Sequence, residues 1–169
     1  QEQLIEKDIP LLRSVMDEPF QAMLLKGRRN YLCPNRLQIA MSGGGELFTS
    51  SELEELKAIW SWAESTEDGT LSELDFAPTG RVWSQVCREA HACKPRRGGP
   101  SGKCFYQEVR KRVAEADVLV VNHTLFFTLL NSQAEFTESG EGFLFAGDFL
   151  IFDEAHTLEQ VAARQLGIS

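Results

Sequence analysis

Apolar positions along this chain follow two rhythms that alternate in blocks. Short apolar runs at Phe20–Leu25, Val118–Val121 and Phe149–Phe152 predict strands, the last two reading as buried parallel strands. Between them the spacing turns helical. Leu4, Ile5, Leu12, Val15 and Met16 predict an opening helix, with Asp8 as a cap and Pro10 breaking or restarting it. Ser51-x-x-Glu54 reads as a capping box, after which Leu53, Leu56, Ile59, Trp60 and Ala63 line one helical face, with Glu52, Glu55 and Glu64 toward the other side. Tyr106, Val109, Val113 and Ala116 predict a further helix whose opposite side carries Arg110, Lys111 and Arg112. Gly43–Gly45, Glu67–Gly80 and Pro95–Gly102 are expected loops. Trp60, Trp62 and Trp83 could stack bases, but tryptophans at helical spacing belong far more often to a core.

Four cysteines are scattered over this pattern: Cys33, Cys87, Cys93 and Cys104, spaced C-x53-C-x5-C-x10-C. No C-x2-C pair occurs, so neither a zinc knuckle nor a bacterial ferredoxin spacing fits. Four cysteines in 169 residues are sparse for a secreted disulfide scaffold, and no apolar run is long enough to be a signal-peptide core or a membrane span. In a reducing compartment, four thiolates from separate segments point to a metal or cluster site, the alternative being four small buried hydrophobes. His91, between two cysteines, is a substitute ligand. Residues 31–106 show few regular apolar positions, so a bound centre is expected to staple that stretch together across more than seventy residues.

Charge sharpens this. Between Cys87 and Arg112 eight basic residues face two acids, and Lys26, Arg28, Arg29 and Arg36 surround Cys33. Between Glu46 and Asp75 nine acids face one lysine, which brings the whole chain to −8. Such segregation predicts a basic surface near the cysteines able to follow a phosphate backbone, with a solvated acidic face elsewhere.

The apolar run Phe149–Phe152 leads directly into Asp153-Glu154-Ala155-His156. Carboxylates at the carboxyl end of a parallel strand can meet a nucleotide, Asp153 holding Mg²⁺ and Glu154 polarising the water that attacks a γ-phosphate. The plainer reading is that Asp153 caps a helix over 154–164. Asn122 and His123 close the Val118–Val121 strand, and His123 is expected to be structural.

Lys26-Gly27-Arg28-Arg29-Asn30-Tyr31-Leu32-Cys33, with Cys87, Cys93, Cys104-Phe105, the segment 116–123 and Asp153-Glu154-Ala155-His156, resembles the iron–sulfur helicases of superfamily 2, the XPD/DinG group, on its bacterial DinG-like side. The resemblance implies an α/β fold: part of a RecA-like parallel sheet with flanking helices, interrupted by a mostly α-helical cluster domain. Residues 1–30 and 107–169 would belong to the first motor domain and 31–106 to the cluster domain. It implies Cys33, Cys87, Cys93 and Cys104 as ligands of a [4Fe–4S] cluster, Asp153 and Glu154 as the Mg²⁺ and water-activating carboxylates, and His156 as the link from nucleotide state to the motor. Lys26, Arg28 and Arg29 fall where contacts with single-stranded or forked DNA are expected; Arg36, Arg96, Arg97 and Lys103 are surface candidates for the same partner. The activity implied is ATP-dependent 5′-to-3′ DNA unwinding in repair or replication, in the bacterial cytoplasm on the nucleoid. Within these residues no Gly-Lys-Ser/Thr phosphate loop occurs, since Arg97-Gly98-Gly99-Pro100-Ser101-Gly102-Lys103-Cys104 has Arg97 and Cys104 at the decisive ends. The chain is therefore expected to be a piece of a longer helicase, inactive as an ATPase alone and prone to an artificial dimer through its strand edges. The alternative is a zinc-stabilised, non-catalytic DNA-binding or protein-interaction module.

Overall fold

The computed structural model describes residues 3–43, 47–89, 99–100, 102–131 and 149–167. In chain order a π-helical stretch, Leu4–Asp8, runs into α1 (Ile9–Val15), followed by β1 (Ala22–Leu24) and a 3₁₀ turn at Arg28–Asn30. Then come α2 (Pro34–Ser42), α3 (Ser50–Ser65), a 3₁₀ turn at Leu71–Glu73, α4 (Gly80–Val86) and α5 (Phe105–Val113). β2 (Val118–Val120), α6 (His123–Asn131), a 3₁₀ turn at Ala155–Thr157 and α7 (Leu158–Leu166) complete the order. The chain divides into two compact units, one of residues 1–26 and 112–169, the other of residues 27–111.

The first unit carries a parallel pair, β1 with β2, in the register Ala22↔Val118, Met23↔Leu119 and Leu24↔Val120. Asp117 fixes its start: the Asp117 carboxylate accepts from Gln21 N–H at 2.7 Å, and the Asp117 and Val118 N–H groups donate to Gln21 O. Proline at the second position of α1 is harmless because an early helical N–H has no carbonyl to meet. Asp8 does not cap it; π-helical backbone runs straight into α1 instead. α6 and α7 pack together, with Phe126 and Phe127 buried.

One expected strand is not there. Phe149–Phe152 has no ladder partner among the described residues, and Phe149 and Ile151 stand 98% and 95% exposed. An extended run becomes a strand only when a neighbour takes its backbone groups, and here the described sheet ends at two strands. Phe152 packs its ring edge-on to Phe126 at 5.1 Å and tilted to His123 at 6.1 Å.

The second unit corrects a different expectation. Instead of a loose insert lacking a core, α2, α3 and α4 pack on one another around Leu32, Leu37, Leu56, Ile59, Ala63, Val82, Trp83, Val86 and Phe105, and Cys87 belongs to that cluster. The apolar positions missed by helical spacing come from short elements: Leu71, Leu74 and Phe76, in and just after the 3₁₀ turn, close the edge. Trp83 is core, its indole N–H donating to Arg29 O at 2.8 Å, and Trp60 and Trp62 lie partly buried against the same cluster. The capping box of α3 sits two residues earlier than expected, Thr49 with Glu52, because Ser50 is already helical. Glu55 points to a task rather than to solvent, its carboxylate accepting from Thr79 N–H (2.8 Å) and Oγ1 (3.1 Å) at the start of α4.

Candidate cluster and motor sites

The cysteine region is built from a three-residue extended segment, Tyr31–Cys33, held on both sides. On one side Leu32 N–H donates to Gly69 O at 2.8 Å and Tyr31 bridges Thr70. On the other, Cys33 N–H donates to Val86 O and Arg88 N–H to Tyr31 O, both at 2.8 Å, with Leu32 bridging Cys87. The backbones carrying Cys33 and Cys87 are thereby joined, and both cysteines are buried.

Cys104 approaches through the residues after it. The Phe105 ring covers Gly69, where a Cβ would lie 2.3 Å from Phe105 Cγ, and Gly69 has a φ of +62°, so no other residue fits that place without strain. Tyr106 stacks tilted on Tyr31 with centroids 5.6 Å apart, and the Arg88 guanidinium lies over the Tyr106 ring. Gly99 packs on Pro34, the residue after Cys33, and its N–H donates to Gln38 Oε1 at 2.9 Å. The segments around Cys33, Cys87 and Cys104 thus converge near Tyr31–Pro34. Cys93 and His91 lie outside the described residues, as do Arg96 and Arg97.

Do these residues suit an iron–sulfur centre? Thiolates are the soft donors it takes, and the fold joins the first two cysteine segments directly. Arg88 Nε is buried with no hydrogen-bond partner among the described residues, leaving a donor in want of an acceptor in the residue after Cys87. Burial pushes the Cys87 thiol up, Arg36 pulls it down, Glu89 raises it and Arg29 lowers it again. The Cys87 sulfur lies 3.8 Å from Ser84 O, and among the described residues no three His, Cys, Asp or Glu side chains are grouped as metal ligands. The donor set and the backbone framework suit the centre.

The basic candidates divide sharply. Arg29 is exposed and pairs with Glu89 at 3.1 Å. Arg28 and Lys26 are half-buried, and Lys103 is exposed, donating to Glu67 O at 3.1 Å with its ammonium over the Phe105 ring. Arg36 is different: its side chain is 15% exposed and is bound into the fold, donating to Cys87 O at 2.6 Å and Ser84 O at 2.9 Å and approaching Glu89 at 3.5 Å. Little of it is left for a phosphate. Its place three residues after Cys33, one turn into a helix opened by Pro34, was the signal that pattern reading passed over.

In the other unit Asp153, Glu154 and His156 are all exposed. Asp153 does not cap a helix; its carboxylate accepts from the next N–H, that of Glu154, at 2.9 Å. Glu154 has φ 52° and ψ 42°, the one left-handed residue other than glycine among those described. Such backbone costs a carboxylic side chain about 1 kcal/mol and is enriched where function holds it in place. His156 Nδ1 lies 3.2 Å from Glu154 Oε2. Asn122 Oδ1 accepts from Leu125 N–H at 2.7 Å and so caps α6, while His123 Nδ1 meets Thr157 Oγ1 at 3.2 Å, joining the end of β2 to the turn after His156. His123 thus has a structural partner.

No helix among the described residues is long and apolar enough to cross a membrane. No protein-family model matches the chain. It is 34% identical over its whole length to the ATP-dependent DNA helicase YoaA of Haemophilus influenzae, covering 26% of that protein. Over 98% of its length it is 31% identical to the ATP-dependent helicase DinG of Mycobacterium tuberculosis, 27% of which is covered. The 3′-5′ exonuclease DinG of Bacillus subtilis is 25% identical over 99% of the chain, with 17% of its own length matched. The chain thus spans about a quarter of the length of the YoaA and DinG helicases it matches. This whole-length match, on a chain that joins the backbones of Cys33 and Cys87 and carries Asp-Glu-Ala-His beyond a parallel strand pair, identifies it as a DinG-like helicase segment.

Proposed function

We propose that this chain is the cluster-bearing part of the first motor domain of an ATP-dependent 5′-to-3′ DNA helicase. In that reading residues 31–106 form the cluster domain and residues 1–30 and 107–169 belong to a RecA-like motor. Cys33, Cys87, Cys93 and Cys104 hold a [4Fe–4S] cluster, which supplies a rigid covalent junction between segments far apart in sequence. The observation that carries this is the convergence on Tyr31–Pro34 of the segments around three of the four cysteines.

Asp153 takes Mg²⁺ and Glu154 orients the attacking water when ATP is supplied by a complete motor. The left-handed backbone at Glu154 supports this, since such backbone in a residue other than glycine is enriched at functional sites. His156, within reach of Glu154, passes the state of the nucleotide onward. Single-stranded or forked DNA is the polymer partner, with Arg28, Arg29, Lys26 and Lys103 as its contacts on this chain, joined by Arg96 and Arg97, which precede Cys104 in the sequence. Repair or replication on the bacterial nucleoid is the setting. Without a Gly-Lys-Ser/Thr loop the 169 residues alone bind DNA but do not turn over ATP.

The test is iron and acid-labile sulfide quantified in protein made without oxygen. About four of each per chain, lost in Cys33→Ser or Cys104→Ser, is the expected result. One zinc per chain under the same conditions would instead favour a non-catalytic module, and Mg²⁺-dependent ATP turnover by the pure chain would overturn the division of labour. Self-association through the unpaired Phe149–Phe152 run is expected at high concentration.

A further inference from the structure

We infer that Arg36 is a positioning residue that brackets two of the cysteine-bearing segments, and that this bracket, rather than contact with DNA, is its task. The inference rests on the cluster reading above. Arg36 stands one turn into α2, whose N-cap residue is Cys33. From there its guanidinium reaches the far end of α4 and donates to two carbonyls, Ser84 O and that of Cys87 itself. These lie among the last carbonyls of α4, which intrahelical N–H groups leave without partners. A planar fork of donors satisfies two at once in a fixed geometry, which a compact ammonium on a flexible stem does not provide. The cation also sits where the helix leaves its partial negative charge.

The bracket is held from behind. Glu89 lies between Arg36 at 3.5 Å and Arg29 at 3.1 Å, so a carboxylate fixes the guanidinium in place. On the inner side Cys33 N–H donates to Val86 O, and Arg88 N–H to Tyr31 O. Two backbone hydrogen bonds and two from the Arg36 guanidinium therefore tie the start of α2 to the end of α4. Two cysteines 54 positions apart in sequence are thus kept on joined backbones by the protein's own hydrogen bonds. The guanidinium also places a fixed positive charge beside one ligand, which favours the more negative, reduced form of a cluster bound there.

Three variants separate this from a merely structural role. Arg36→Gln removes both fork and charge, Arg36→Lys keeps the charge alone, and Glu55→Gln loosens the opposite end of α4 without touching a cysteine. In cluster-free protein, amide hydrogen exchange at Cys33 and Arg88 is expected to speed at least about tenfold in both Arg36 variants and to stay near parent in Glu55→Gln. In anaerobically loaded protein, the cluster's lifetime in air should shorten several-fold in both, while its reduction potential falls in Arg36→Gln and holds in Arg36→Lys. Unchanged exchange at Cys33 and Arg88 overturns the bracket, as does equal loosening by Glu55→Gln. A parent chain that takes up no iron or sulfide overturns the function proposed above and the cluster half of this inference, while the exchange measurement still decides the bracket.

Discussion

The two units of this chain spend their apolar residues in opposite ways. In residues 27–111, Leu37, Leu56, Ile59, Val82 and Val86 are wholly buried, and among the described large hydrophobics only Ile39 and Leu47 are exposed. In the other unit Leu4, Leu11, Leu12, Val15, Met16, Val118, Phe149, Leu150, Ile151, Phe152 and Leu166 all lie open, around two strands of three residues each. The first pattern belongs to a unit whose helices complete one another. The second belongs to a parallel sheet, which is stable only with both faces covered and further strands beside it. The core of residues 27–111 is built from apolar side chains of α2, α3 and α4 and of the short segments beside them.

Ile59→Ala is the strongest way to break the contrast. It removes a fully buried side chain from the middle of α3 and should cost about 4 kcal/mol in a urea unfolding curve followed in cluster-free protein. Gly69→Ala comes next, at about 2 kcal/mol, because the new Cβ meets the Phe105 ring and the backbone must keep a φ of +62°. The same curve should also report a shift in Phe105, and with it lower iron uptake through the neighbouring Cys104. Glu55→Ala should cost about 1 kcal/mol, the usual worth of a helix cap.

On the other side, Ile151→Ser is expected to change stability by less than about 0.5 kcal/mol, since the side chain is already in water. Sedimentation should nevertheless show less self-association than the parent, and an unchanged dimer fraction would mean that the open run is not the contact. The smallest effect is one of pH. The Thr49 backbone N–H holds the Glu52 carboxyl below the usual carboxylate range against the raising effect of burial, with the Thr49 hydroxyl and Arg81 assisting. A lowered pKa in the folded state means that this contribution is complete above the unfolded value, near pH 4.3, and fades as the pH falls through the folded one. Glu52→Gln should flatten that acid limb in urea midpoints measured from pH 6 down to pH 3.

Much of the second unit was legible residue by residue. Leu56, Ile59 and Ala63 recur at helical spacing and are buried, and Val109 behaves likewise on α5. What stayed hidden was the contribution of irregular segments, because Leu71, Leu74 and Phe76 obey no period and join the core only through turns. The capping box shows the same limit on a smaller scale: two overlapping Ser/Thr-x-x-Glu patterns occur within six residues, and only the helix start selects Thr49 with Glu52. Among charges, composition marked Arg36 and Arg29 alike as basic, yet one is bound to carbonyls inside and the other stands at the surface.

The linear order of residues determined the family, the cysteine set and the carboxylates of Asp153 and Glu154, since these depend on residue type and spacing. Tertiary structure alone decided which of those groups meet. Cys33 and Cys87 are joined by a short antiparallel pairing, and no local preference encodes a contact across so many intervening residues. The fate of Phe149–Phe152 follows the same physics in reverse: its sequence favours a strand, but a strand is a property of a pair, and the described sheet offers it no partner.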